Sequence, residues 1–303
     1  MALRISVIVP ARNEQENLEQ VTALLAKSLP RESEIVVVNN GSTDGSSELL
    51  QKLKETYPII VVEIRPVVGR TYAIKKGIEA STGDLVAMID ADLQYHPKDL
   101  LKLCSKLTEE RLDFVTGWRD YSKYPFGNRV ISKIYNWIFR RFFHIRIHDA
   151  NCGLKLFTRE VANDLIYRRG YSRYFVGIAS DMGYKVGEVK VDLHERRAGK
   201  SNYSKTRIFG SFFDLLSVKL SLTIFRQPMH FFGSLSFVLI TGGVVYNLFN
   251  KTFYPTIMIV SGFVSLLFGL IAEMIMDLQP RWRLEKRAAG KNVEREGRTK
   301  IGD

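Results

Sequence analysis

Residues 84–94 read DLVAMIDADLQ. Five apolar residues, Leu85 to Ile89, run without a break and give way to Asp90, Ala91, Asp92, Leu93 and Gln94. A short unbroken apolar run is the pattern of a strand covered on both faces. The two acids therefore stand at the carboxyl end of a buried strand. The same pattern recurs on either side: RISVIVP (4–10), EIVVVN (34–39), IIVVEI (59–64) and DFVTG (113–117). Between these runs lie helix-competent stretches. They are Glu14 to Ser28, GSTDGSSELLQKLKETY (41–57), Arg70 to Ala80, and a segment after Pro97. Strands alternating with helices predict an α/β, Rossmann-like fold with a mostly parallel sheet and helices on both faces. Ligands of such sheets bind beyond the carboxyl ends of the strands. Three places follow: Pro10–Glu14, Asn39–Asp44 and Asp90–Gln94.

The rest of the 303 residues has a different character. Gln227 to Asn250 holds no Asp, Glu, Lys or Arg in 24 residues, and Thr252 to Ala272 holds none in 21. Each run can cross a hydrocarbon core of about 30 Å, so a purely soluble protein is excluded as an expectation. Two cysteines, Cys104 and Cys152, cannot make a disulfide framework, and the N-terminus lacks the pattern of a signal peptide. The formal charge of +12 suits anionic lipid or phosphorylated ligands. With no zinc spacing, helix-turn-helix or ribonucleoprotein signature, no nucleic-acid partner is expected.

RVISKIYNWIFRRFF (129–143) and TRIFGSFFDLLSVKLSLTIFR (206–226) carry polar and apolar residues on separate sides at helical spacing, as helices lying in a membrane interface do. The tail RWRLEKRAAGKNVEREGRTKIGD (281–303) carries eight Lys or Arg and four acids, against one Lys between the runs. The positive-inside bias places the large domain and the tail in the cytoplasm of a two-span protein of the cell membrane. The expected organisation is a large α/β domain over 1–205, an interfacial helix over 206–226, a transmembrane hairpin over 227–278 and a basic tail over 279–303. Glu273 and Asp277 fall in the last turns of the second run, as headgroup neighbours or as a buried functional acid. Gly242, Gly243, Gly262 and Gly269 permit close helix approach, between copies in a homo-oligomer or within one hairpin.

Asp90 and Asp92 offer hard oxygen ligands of the kind Mg²⁺ or Mn²⁺ takes alongside substrate phosphates. With PARNE (10–14), GSTDG (41–45), DADLQ (90–94) and GWR (117–119), the chain resembles family-2 glycosyltransferases of the GT-A fold. Asp149-x-x-Cys-Gly-Leu-Lys-Leu-Phe, RRAGKSNY (196–203) and two C-terminal spans beginning PMHFFG make it similar to the dolichol-phosphate mannose synthase and polyprenyl-phosphate glycosyltransferase group. The resemblance covers about residues 3–280.

The resemblance implies transfer of a sugar from a nucleotide-sugar donor to a polyisoprenyl (dolichyl) phosphate, with inversion and a divalent metal. Mannose from GDP-mannose is favoured, with glucose or N-acetylglucosamine from a UDP-sugar as the other donors. Transfer to another lipid or a polysaccharide, or a non-catalytic membrane scaffold, are the alternatives. It implies Asp90, Asp92 and Gln94 at the metal, and Pro10, Arg12, Glu14, Asn39, Asp90 and Ala91 around the nucleotide. It implies Arg129, Ser132, Arg196, Lys200 and Ser201 at the acceptor phosphate, with Asp92, Arg119, Arg129 and Arg196 carrying the chemistry. Two anions must meet in this reaction, so fixed cations and a metal offset their repulsion, and guanidinium matches phosphate bidentately. The acceptor, with a second pKa of about 6, needs no general base. Asn39-Asn40 stands where the family usually has an acidic pair, which leaves the nucleotide open.

Overall fold

The computed structural model describes residues 4–120, 126–194, 207–249 and 252–278. In chain order the first elements are β1 (Ile5–Ala11), α1 (Gln15–Ser28), β2 (Glu34–Asn40), α2 (Ser46–Thr56) and β3 (Ile59–Ile64). They are followed by α3 (Arg70–Glu79), β4 (Leu85–Met88), α4 (Asp99–Glu109) and β5 (Phe114–Arg119). These match the alternation expected from the sequence. Then come α5 (Phe126–Phe143), β6 (Lys155–Thr158), α6 (Arg159–Asp164), α7 (Phe175–Asp181) and β7 (Val186–Val191). The last three helices are α8 (Arg207–Arg226), α9 (Pro228–Phe249) and α10 (Tyr254–Leu278).

One seven-stranded sheet has the order β3-β2-β1-β4-β6-β5-β7. All neighbouring pairs are parallel except the two made by β6. The apolar runs earn their places by burial. Val7, Ile8 and Val9 on β1, Val36, Val37 and Val38 on β2, and Val86 and Ala87 on β4 are all fully buried. Each such valine or isoleucine contributes about 1.5–3 kcal/mol by leaving water. Helix α1 turns Leu18, Val21 and Leu25 to this core, at the spacing of one helical face.

The chain divides into two compact units, Met1–Leu216 and Ser217–Asp303. In the second, α9 and α10 have mean hydropathies of 1.6 and 2.1 and are long enough to cross a membrane. The glycines serve the hairpin itself. A Cβ on Gly262 would meet Ile240 Cγ1 at 2.5 Å, one on Gly243 would meet Ile259 Cγ1 at 2.8 Å, and one on Gly269 would meet Phe232 Cβ at 3.0 Å. Close approach then lets Ser265 Oγ donate to the Phe232 carbonyl (3.0 Å). The Met229 amide, in the first turn of α9, donates to the Glu273 carboxylate (3.4 Å). Glu273 thus answers one of the amides that a helix start leaves without an intrahelical partner.

Candidate active site

Strand order reverses between β1 and β4, so their carboxyl ends flank the crevice where such sheets bind ligands. One wall is knitted from the loops after β1 and β2. Asn13, at φ 56°, accepts from the Thr43 amide (2.8 Å), and its own amide donates to Ser42 Oγ (2.9 Å). The Gln15 amide donates to Asp44, and the Gly45 amide donates back to Gln15 Oε1. Asn40 makes a two-way bond with Val68, donating to its carbonyl (2.8 Å) and accepting from its amide (2.9 Å).

Asn39, expected around the nucleotide, has its carboxamide engaged within the fold. It is fully buried, its amide donates to Ser47 Oγ (2.7 Å) and the Glu63 carboxylate, and its carbonyl accepts from Ser42. Pro10 and Glu14 are half-buried, Ala11 is buried and Arg12 is exposed. Glu14 accepts from Asn17 Nδ2 at the start of α1 (2.7 Å).

The opposite wall begins where β4 ends. The chain turns at Ala91 and Asp92 rather than staying extended. Leu93 is forced to φ 59°, a conformation that is costly for leucine. Such strain gathers at functional turns. Here it brings the Gln94 amide to Asp92 Oδ1 (3.2 Å). Asp92 is buried, whereas Asp90 is 30% exposed and ion-paired with Arg70 at the start of α3.

Asp90 also lies against Gly153, where a Cβ would come within 2.4 Å of Asp90 Oδ2 and 3.0 Å of the Tyr95 ring. The Gly153 amide donates to Tyr95 Oη (3.1 Å). Among the described residues no three His, Cys, Asp or Glu side chains gather as a closed metal cage. Two carboxylates at a strained turn fit an ion that shares its coordination with a phosphate, as Mg²⁺ and Mn²⁺ do.

Arg119, at the end of β5, grips Asp149 with Nε (2.6 Å) and Nη2 (3.0 Å), and its amide also donates to the same carboxylate (3.3 Å). Asp149 is fully buried, and a bidentate charge-assisted pair of this kind fixes the guanidinium plane. Helix α5 holds the same loop, because Asn136 Oδ1 accepts from the Ala150 amide (3.2 Å). Arg129 and Ser132, half-buried, lie on the face of α5 that carries Asn136, Phe139 and Phe143 inward. The other face leaves Val130, Ile131, Ile134 and Trp137 exposed. Beside Arg119, Trp118 stacks on His148 (3.9 Å), and the Lys190 ammonium lies over the Trp118 ring at 4.8 Å from its centre. The Glu188 carboxylate holds both the His148 amide (2.6 Å) and its ring.

Asp90, Asp92, Gln94 and Arg119 therefore gather at one edge of the sheet, with Arg129 and Ser132 on the helix that braces the Asp149 loop. Arg196, Lys200 and Ser201 lie outside the described residues. The sequence reading gave no role to Arg70, Asn136, Asp149, Lys155 or Glu188. Asp149 and Lys155 sit inside a motif quoted above, which was the signal available. Arg70 had none, since its partner is 20 residues away.

A model of "Glycosyl transferase family 2" matches residues 6–166, and the chain belongs to that family. A dodecaprenyl-phosphate galacturonate synthase of Rhizobium johnstonii is 31% identical over 243 residues, covering 77% of this chain and 72% of the relative. An undecaprenyl-phosphate 4-deoxy-4-formamido-L-arabinose transferase of Pseudomonas paraeruginosa is 32% identical over 220 residues, covering 70% of this chain and 64% of the relative. Among solved structures, glucosyl-3-phosphoglycerate synthase of Mycobacterium tuberculosis, in complex with Mn²⁺ and UDP-glucose, superposes with a TM-score of 0.55 at 19% identity. That match covers 72% of this chain and 79% of the neighbour, and it shows a shared GT-A fold.

Proposed function

We propose that this protein moves a sugar from a UDP-sugar to the phosphate of a polyprenyl lipid at a membrane. The observation that carries the reading is the convergence of Asp90, Asp92 and Arg119 at one sheet edge, in a chain that also holds two helices apolar enough to span a bilayer. The relatives named for dodecaprenyl- and undecaprenyl-phosphate support the acceptor. Their sugars, galacturonate and a formamido-arabinose, support a donor other than the GDP-mannose favoured from sequence. The fold neighbour that holds UDP-glucose supports uridine.

In the reaction an oxygen of the lipid phosphate attacks the anomeric carbon as the bond to the UDP oxygen breaks, with inversion. Asp90, Asp92 and Gln94 would hold Mg²⁺ or Mn²⁺, which supplies Lewis-acid stabilisation to the leaving diphosphate. Arg119, locked by Asp149, presents a fixed cation at that edge, and preorganised charge of this kind stabilises what develops in the transition state. Arg129 and Ser132 on α5, with Arg196, Lys200 and Ser201, receive the acceptor phosphate. The exposed apolar stripe of α5 and helix α8 lie at the headgroups, and the catalytic unit and basic tail face the cytoplasm.

The donor assignment is tested by calorimetric titration of the detergent-purified protein with UDP and GDP in Mn²⁺. UDP is expected to bind more tightly by roughly tenfold or more, the worth of one well-matched hydrogen-bond pair. Tighter GDP binding would return the assignment to guanosine.

A further inference from the structure

We propose that Lys155 is a positioning residue whose buried ammonium acts as a fixed counter-charge for a substrate phosphate. The phosphate is the donor diphosphate or the acceptor monoester. The inference rests on the function proposed above and deepens it.

Topology places this residue. Strand β6 runs opposite to both neighbours, so its first residue stands at the edge where β4 and β5 end. The register sets Lys155 opposite Met88, two residues before Asp90, and opposite Thr116, three before Arg119. The cation therefore lies between the strand end that carries the acids and the strand end that carries the arginine.

Its surroundings are unusual for a lysine. It is 2% exposed, and lysine is almost never fully buried unless paired. Among the described residues its ammonium makes no ion pair, and the one acceptor recorded for it is the Cys152 carbonyl. An ammonium has three donors. Asp149 and Cys152 face it from the loop before β6, Arg70 from α3 and Arg119 from β5. Asp149 is already committed to Arg119. Burial pushes the lysine down to about 8, against the opposing pull of Cys152 and Asp149, and the two arginines add to the depression. A methionine would fill the same volume without that desolvation cost, so packing alone does not account for a lysine here. An incoming phosphate does. Opposite charges attract over several ångströms through a low-dielectric wall, and no direct contact is required.

The sign of the pH effect follows. A phosphate at this edge raises the pKa of Lys155, so binding draws in a proton near pH 8, and affinity falls as pH rises through that value. The test is calorimetry on the full-length protein in detergent with Mg²⁺, at pH 7 and pH 9, each in two buffers of different ionisation enthalpy. UDP and farnesyl phosphate are titrated separately. Wild type is expected to take up a proton on binding and to lose roughly fivefold to tenfold in affinity between the two pH values. Lys155→Met is expected to bind roughly tenfold more weakly at pH 7 and to show neither effect. Lys155→Arg is expected to keep its affinity at both. A loss confined to UDP assigns the charge to the donor, and one confined to farnesyl phosphate assigns it to the acceptor. Equal affinities in wild type and Lys155→Met, or absence of proton uptake by wild type, overturns the inference. The second result needs no variant to fold. Failure of wild type to bind either ligand overturns the functional reading itself, and this inference with it.

Discussion

Asp149 holds the Arg119 guanidinium in place, and the pair can be broken from the buried side. Asp149→Asn removes the charge and keeps the shape. It leaves a largely buried guanidinium uncompensated, which costs about 3 kcal/mol, and lets its plane drift, which costs roughly 100-fold in transfer rate. Thermal unfolding and initial rates in detergent check both. Gly153→Ala acts on the other acid. Its methyl would collide with Asp90 Oδ2 at 2.4 Å, so transfer is expected to fall by roughly 100-fold while unfolding changes little. A variant with full activity would show that Asp90 need not rest against this loop. Asp92→Ala is expected to abolish transfer and leave the protein folded. At this scale the sequence was legible where acids follow an apolar strand, as at Asp90 and Asp92. It was illegible where a role depends on a distant partner, as with Arg70, or on strain, as with Leu93 at φ 59°. The internal contacts of Asn39 were hidden for the same reason. Its partner Glu63 becomes a neighbour only when β2 and β3 pair, and Ser47 only when the start of α2 returns to the end of β2.

Among elements, the five strands marked by short apolar runs were evident, and β6 and β7 were not. β6 has four residues, one of them a buried lysine, and passes at once into a helix capped by Thr158. β7 carries Glu188 and Lys190 between its valines and is only partly buried. Neither has the hydrophobic signal that marks a buried strand. For the last two helices length and apolarity were legible, but the glycines kept two roles, and the geometry packs them along the seam within the hairpin. Gly262→Leu is therefore expected to destabilise the hairpin by about 1–3 kcal/mol through overpacking, read as a lower unfolding midpoint in detergent. An unchanged midpoint would point to a seam that opens freely. On α5, Trp137 is 62% exposed beside Ile134, and Trp137→Glu is expected to raise the apparent KM for a vesicle-borne acceptor and to leave that for farnesyl phosphate unchanged.

At the scale of the whole molecule, Glu34 and the candidate site sit at opposite ends of the sheet. Glu34 closes the end far from the crevice. Burial raises its pKa, but hydrogen bonds from Ser6, from the Thr82 amide and hydroxyl, and from Gly83 outweigh that and hold it at about 2, against 4.5 for an ordinary glutamate. Its folded pKa is depressed, so its contribution is complete above 4.5 and is lost as pH falls toward 2. Glu34→Gln is expected to flatten the acid limb of unfolding in that window, followed by tryptophan fluorescence. Activity at neutral pH should be untouched, because the crevice lies at the other edge. The most direct test is the reaction itself. Purified protein is incubated with undecaprenyl phosphate, Mn²⁺ and a panel of UDP-sugars that includes UDP-galacturonate, with GDP-mannose alongside, and the butanol phase is read by mass spectrometry. A monoglycosylated undecaprenyl phosphate formed from one UDP-sugar, and absent with Asp92→Ala, is the expected result. Folded wild-type protein that yields no glycolipid from any donor would contradict the assignment.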